Sequence, residues 1–349
     1  MKIKNKVVTF GEVLLRLTAP GNLRFSQVGE FIAIYGGSEA NVAVSLANYG
    51  VPVEYVTRLP DNDIARACVS ALRSHNLGTE GIVYGGNRLG IYFLENGAVS
   101  RSSSVVYDRA DSSFSTLRPG MIDWKSIFAD ASWFHWSGIA ASLTQGAADV
   151  CREAIETANE MGLTISCDLN YRRNLWKYGK SASEVMPELV QYSDVIFGSE
   201  GEYMNVLNFN PVGFKALDAS YTIDTEGYEE ACRQVQATLP RCRKMFIELR
   251  NSVNANHDLL GGILYSDGTV KHARIYDVTH VVDKVGTGDA FVGGMIYGLL
   301  AYPNDEQKAL DFALAASCLK TTIYGDFNLA TVAEVETLMK GDGSGRVSR

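Results

Sequence analysis

Val281-Val282-Asp283-Lys284-Val285-Gly286-Thr287-Gly288-Asp289-Ala290-Phe291-Val292-Gly293-Gly294 is the stretch on which the fold turns. A β-type run ends at Asp283, a glycine turn follows, and a helix of small residues starts near Asp289. Gly286 and Gly288 carry no Cβ, so the backbone N–H groups of Gly286, Thr287 and Gly288 can close on an anion. The helix N-terminus adds its partial positive charge. Such a pocket suits charge that develops on a transferred phosphoryl group. Asp289 puts a carboxylate beside that position, where it could take the proton of an attacking hydroxyl. Asp after glycine is also a common helix N-cap, and the stretch alone leaves both roles open.

Two better-known phosphate motifs do not fit. The third glycine of a dinucleotide fingerprint is misplaced here, and the first strand runs into Gly11-Glu12-Val13 with no glycine-rich turn. Gly179-Lys180-Ser181 resembles the end of a Walker A loop, but Asn174 stands where its earlier glycine is needed. A hydride-transferring enzyme on a dinucleotide fold is disfavoured accordingly. A second glycine turn lies far upstream, in Gly36-Gly37-Ser38-Glu39-Ala40-Asn41-Val42-Ala43. It opens a helix of small residues with Asn41 in the first turn, where its amide can donate to and accept from sugar hydroxyls or simply cap the helix.

Outward from these turns, short β-branched runs alternate with longer helical patterns, which predicts βαβ units and a parallel sheet. Strands are expected at Val7–Phe10, Val53–Thr57, Ser132–Trp136, Thr164–Asp168, Val195–Gly198 and Met245–Leu249. Helices are expected at Asn41–Tyr49, Ala65–His75, Ala147–Met161 and Thr225–Thr238, with Gly50, Gly78 and Gly162 as left-handed caps. Two stretches, Leu14–Tyr35 and Leu89–Tyr107, break this rhythm and read as paired strands of a small accessory sheet. In the second, Ile91–Glu95 and Ala98–Ser100 flank an Asn96-Gly97 turn. A further hairpin is expected around Ser266-Asp267-Gly268, and a disordered polar tail over 341–349. The fold class expected is therefore α/β: a doubly wound, mainly parallel sheet over 1–340, with small inserted strands at about 12–36 and 88–110.

Across 349 residues, 46% are hydrophobic and 21% charged, and the net charge is −8. This is the balance of a soluble globular protein and gives no basic excess for nucleic acid or an anionic membrane. The longest apolar stretch, Ala290–Tyr302, is glycine-broken and too short to span a bilayer. The N-terminus enters a strand at once, which leaves no room for a signal peptide. Six scattered cysteines and five dispersed histidines form no metal-ligand spacing, so free thiols in a reducing cytoplasm are expected.

The two glycine turns, in this order and with accessory strands between them, resemble the paired signatures of the ribokinase-like (PfkB) carbohydrate kinases from Val8 to about Val335. That resemblance implies ATP with Mg2+, a sugar hydroxyl as acceptor, a small sheet acting as a lid, and in some cases a monovalent cation. It implies that Gly286, Thr287 and Gly288 form the anion hole and that Asp289 is the base. The family's Asn-x-x-Glu magnesium motif maps to Ser199-Glu200-Gly201-Glu202, with Ser199 in place of Asn and Glu202 retained. Within the family the match is closer to the 2-keto-3-deoxygluconate kinases. It rests on the Tyr35–Val44 segment, Asp168-Leu169-Asn170-Tyr171-Arg172 and Thr321-Thr322-Ile323-Tyr324-Gly325-Asp326-Phe327. An acidic sugar wants guanidinium forks, and Gly37, Asn41, Tyr92, Tyr107, Arg109 and Arg172 are the expected sugar contacts. Asp108 and Asp111 stand close enough in sequence to neutralise Arg109. At 251–258 the chain departs from the family's compact turn, so nucleotide contacts there are not carried over. A neutral-sugar kinase acting on fructose or ribose, and a sugar-binding regulator without catalysis, are the alternatives. Self-association through the small sheet is expected from Phe25, Phe31, Ile32 and Ile34.

Overall fold

Each β-branched run becomes a strand of one sheet. The computed structural model describes residues 6–207, 213, 222–341 and 343. Nine strands form the large sheet, and six of them run parallel in the spatial order Val53–Val56, Lys6–Phe10, Ala131–Ser137, Thr164–Asp168, Val195–Gly198 and Lys244–Asn254. His257–Ser266 and Thr269–His272 continue it antiparallel, and Tyr276–Val278 pairs with the other half of His257–Ser266. The turn Asp267-Gly268 has both φ angles positive, at 52° and 81°, as a tight two-residue hairpin requires.

The strands read as unbroken apolar runs because both faces are covered. Val7, Phe246 and Leu264 point into one core with the helices Ser38–Asn48, Thr287–Ala301 and Glu306–Lys320. Val8, Ile247 and Ile263 point into the other, with Gln145–Glu160, Ala182–Val190 and Thr225–Thr238. Each such side chain contributes about 1.5–3 kcal/mol by burial, whereas a charge there would cost several kcal/mol to desolvate. Charged residues accordingly collect at the carboxyl ends: Glu12 after the first strand, Asp168 ending its own, and Glu248 past the last pairing with the neighbouring strand at Ile247. The chain reverses direction across the sheet at the Lys6–Phe10 strand, and beyond the strand ends there lies the crevice where α/β folds bind ligands. The helix Thr287–Ala301 reaches this crevice from within the core. A Cβ on Gly298 would lie 2.7 Å from the Cα of Ala309, so its glycines set the distance to the helix behind it.

The small sheet has the order Ile32–Gly36, Leu14–Thr18, Gly90–Glu95, Ser104–Asp108, antiparallel at the two outer pairs and parallel in the middle. Two expectations change here. The partner of Gly90–Glu95 is Ser104–Asp108 and not Ala98–Ser100, and the tight turn is Val99-Ser100, closed by reciprocal bonds of 2.9 Å between Ala98 and Arg101. Asn96-Gly97 is drawn off by tertiary contacts, since Asn22 donates to the Gly97 carbonyl at 2.7 Å and Gly97 N–H donates to Ser103 Oγ at 2.9 Å. Gly50 and Gly162 take the left-handed caps, but the third is taken by Asn76 at φ 62°, and Gly78 instead bridges to Glu54. Of the polar tail, 342 and 344–349 lie outside the described residues.

Candidate active site

All the residues picked from sequence line one cleft of about 500 Å³ at the carboxyl ends of the strands, beneath the small sheet. They are Gly286, Thr287, Gly288, Asp289, Gly37, Asn41, Tyr92, Tyr107, Arg109, Arg172 and Glu202, with Ser199 beside them. Glu12, Ser38, Asp168, Asn170, Glu248, Arg250 and Asp326 share the lining without having been singled out for it. Position at a strand's carboxyl end was the available signal for Glu12 and Asp168.

The glycine turn is tied down from two sides. Gly286 caps the helix at φ 82°, and a Cβ there would lie 2.0 Å from the carbonyl oxygen of Asp326, so only glycine fits. Asp283 accepts from Val285 N–H and from Gly325 N–H, both at 3.0 Å, which fixes the approach to the turn. Asp289 stands in the first helical turn with each carboxylate oxygen holding one neutral donor. Ser38 Oγ donates to Oδ1 and Asn41 Nδ2 donates to Oδ2, each at 2.7 Å. Burial lifts the Asp289 pKa above the ordinary carboxylate value, and the Asn41 and Ser38 hydrogen bonds pull it partly back. Each oxygen keeps a further lone pair for an incoming proton. The donors are themselves positioned: Asn170 Nδ2 donates to Ser38 Oγ at 2.9 Å and to Asp168 Oδ2 at 3.1 Å. The Asn170 Oδ1 atom is buried without a partner.

The arginines differ in availability. Arg109 donates to Glu12 Oε2 through Nε at 2.8 Å and also through Nη2, and its guanidinium lies 5.6 Å from the Tyr107 ring. Glu12, and not Asp108 or Asp111, is thus the acid that pairs with it; Asp108 is held by Arg88. Arg172 is 46% exposed and meets Glu202 at 3.3 Å. Tyr92 faces the cleft with its ring, but its hydroxyl is spent on Asp326 at 2.6 Å. Asp326 belongs to a buried cluster in which Arg16, from the small sheet, donates to Asp326 and to Asp283, each at 2.7 Å.

Glu202 Oε2 accepts from Ser199 N–H at 2.7 Å and Ser199 Oγ at 3.0 Å, so the Glu202 side chain closes back on the residue before its helix. No group of three or more acidic, His or Cys side chains able to hold a metal is found among the described residues. Mg2+ usually takes one or two carboxylates together with phosphate oxygens and water, and Glu202 and Asp168 are cleft-wall acids that could supply them.

The sequence matches the family described as pfkB family carbohydrate kinase over residues 4–240 and 259–330. It is similar to a 2-dehydro-3-deoxygalactonokinase of Haloferax volcanii, 30% identical over 345 residues, 97% of this chain and 98% of that protein. It is 25% identical over 354 residues to a probable fructokinase-4 of Arabidopsis thaliana, 97% of this chain and 98% of that one. Among solved structures, a 2-dehydro-3-deoxygluconokinase of Thermotoga maritima superposes with a TM-score of 0.90 at 40% identity, covering 97% of this chain and 100% of that one.

Proposed function

This chain belongs to the pfkB family of carbohydrate kinases, and from that premise we propose that it moves the γ-phosphoryl group of ATP onto the 6-hydroxyl of 2-keto-3-deoxy-D-gluconate. The observation that carries this reading is Asp289: a buried carboxylate with only neutral donors, in the first turn of the helix that the Gly286–Gly288 amides begin. In the reaction, Asp289 accepts the hydroxyl proton as the sugar oxygen bonds to phosphorus, and the bond from phosphorus to the departing ADP oxygen breaks. The Gly286, Thr287 and Gly288 amides hold the charge that gathers on the transferring group. Mg2+ would supply charge neutralisation on the phosphates, and Glu202 would help to hold it through water. Gly37, Asn41, Tyr92 and Tyr107 shape the sugar side, and Arg172, the more open guanidinium, takes the substrate carboxylate with Arg109 beside it.

One observation favours a second reading. Arg109 is already paired with Glu12, which weakens the preference for an acidic sugar and leaves room for a neutral one such as fructose. The experiment is ADP release with Mg·ATP against 2-keto-3-deoxygluconate, its galactonate epimer, fructose and ribose, with K+ present or absent. Turnover confined to the keto-deoxy acids, and lost in Asp289→Asn, is the expected result. Turnover on fructose or ribose alone would discard the carboxylate assignment. Turnover that survives in Asp289→Asn would discard the base, and no turnover on any sugar would favour a binding protein. Six free thiols fit a reducing compartment, and we place the protein in the cytoplasm. Phe31 and Val106, exposed on the outer face of the small sheet beside Phe93, support self-association through it.

A further inference from the structure

The strand Lys244–Asn254 brings into the cleft a cation that the chemistry above does not use. Phe246, Glu248 and Arg250 alternate onto one face of it. Phe246 is buried in the core, while Glu248 and Arg250, beyond the last pairing with the parallel neighbour at Ile247, reach the cleft wall. Arg250 Nη2 donates to Thr287 Oγ1 at 2.7 Å and to Glu248 Oε1 at 3.1 Å. Thr287 Oγ1 in turn donates to the Lys284 carbonyl at 2.9 Å, so the hydroxyl that receives the guanidinium is itself fixed. The Nε and Nη1 groups of Arg250 take no hydrogen bond among the described residues, and its side chain is 30% exposed.

Each of the other cations of the cleft also meets an acid, and none of them is bonded to the glycine turn. Arg109 is closed against Glu12, Lys284 is held by Asp258 at 2.7 Å, and Arg172 meets Glu202. A triphosphate whose transferring group sits on the Gly286–Gly288 amides has Arg250 on its Thr287 side, one hydrogen bond from the turn. The Nε and Nη1 N–H groups of Arg250 remain to meet phosphate oxygens, one each, while Nη2 holds the guanidinium to the turn.

We propose that Arg250 is a catalytic residue that contacts the β- and γ-phosphoryl oxygens of the nucleotide and offsets the charge passing to the ADP oxygen as the phosphorus–oxygen bond breaks. The proton still goes to Asp289, and no other bond changes. The proposal rests on the nucleotide reading of the glycine turn but not on which sugar is phosphorylated.

The test is calorimetric binding of AMP and of the non-hydrolysable ATP analogue AMP-PNP with Mg2+ to wild type, Arg250→Met and Arg250→Lys, followed by steady-state kinetics. In Arg250→Met, affinity for AMP-PNP should fall about tenfold or more while affinity for AMP stays within about twofold. With the preferred sugar, kcat should fall about 10²–10³-fold, with the KM for sugar little changed. Arg250→Lys should keep part of the AMP-PNP affinity and recover less of kcat, because charge is retained and the fork is not. Because AMP and AMP-PNP binding needs no sugar, a wrong sugar assignment leaves that pattern intact. Equal loss of AMP and AMP-PNP affinity, no loss of either, or unchanged kcat would overturn the proposal. Should Arg250→Met not fold, Arg250→Lys decides by the same criteria.

Discussion

Asp283 and Asp326 are sealed at 3% exposure, Asp289 is desolvated at the wall of the cleft, and the two groups are supplied with opposite kinds of partner. Asp283 and Asp326 share the Arg16 guanidinium, and they also receive backbone N–H groups and the Tyr92 hydroxyl. Asp289 is met by a hydroxyl and an amide only. A carboxylate given a full cation becomes a joint between the small sheet and the body of the fold. One given neutral donors retains an appetite for a proton, which is what a general base needs. The difference lies in the partners and in the side of Asp289 that opens to the cleft.

Asparagine at position 289 probes the contrast hardest. It should lower kcat about 10²–10⁴-fold, while urea unfolding shows stability kept or slightly raised, because a desolvated carboxylate has gone. At the other cluster, Arg16→Met should cost about 3–5 kcal/mol in urea unfolding, since two buried carboxylates lose their cation. A loss below about 1 kcal/mol would mean that the cluster is not a joint, because only exposed ion pairs are worth so little.

Glu39 offers a milder case of the neutral-donor kind. It is buried with Ser137 Oγ donating to it at 2.5 Å, and burial pushes its carboxyl up to about 7 despite that bond. Because the folded value lies above the unfolded one, stability is fully present below about pH 4.5 and is lost as pH rises through about 7. At about 1.4 kcal/mol per unit this amounts to roughly 3 kcal/mol. Glu39→Gln should flatten that slope in unfolding measured from pH 4 to 8; an unchanged slope would remove Glu39 as its source. The smallest effect is expected from Asn41→Ala. Removing a donor to the Asp289 carboxylate raises its pKa, so the acid limb of kcat/KM should move about 1 unit to higher pH. A limb that stays in place would detach Asp289 from the acid limb.

The sheet, the second glycine turn and the convergence of the chosen residues on one cleft were readable because each rests on local pattern: β-branched runs, small residues opening a helix, polar groups at strand ends. Arg16 could not be read that way. In Leu14–Thr18 it holds an inward position that alternation assigns to an apolar side chain, and its acids lie at the far end of the chain. The Glu12–Arg109 pair and the Arg250–Thr287 contact escaped for the same reason, since neither partner marks the other in sequence. Asn96-Gly97 failed differently. Its local preference for a tight turn was real, and contacts from Asn22 and Ser103 outweighed it.

Arg16 and Asp326 stand 310 positions apart. A ribosome adding about 5–20 residues per second needs some tens of seconds to travel between them. For the first 267 of those positions Arg16 has neither of its acids, and the glycine turn and Asp289 follow directly on the first of them, Asp283. The nascent chain can therefore neither lock its sugar side nor spend nucleotide, and catalytic competence arrives in a single late event, when the last helices emerge.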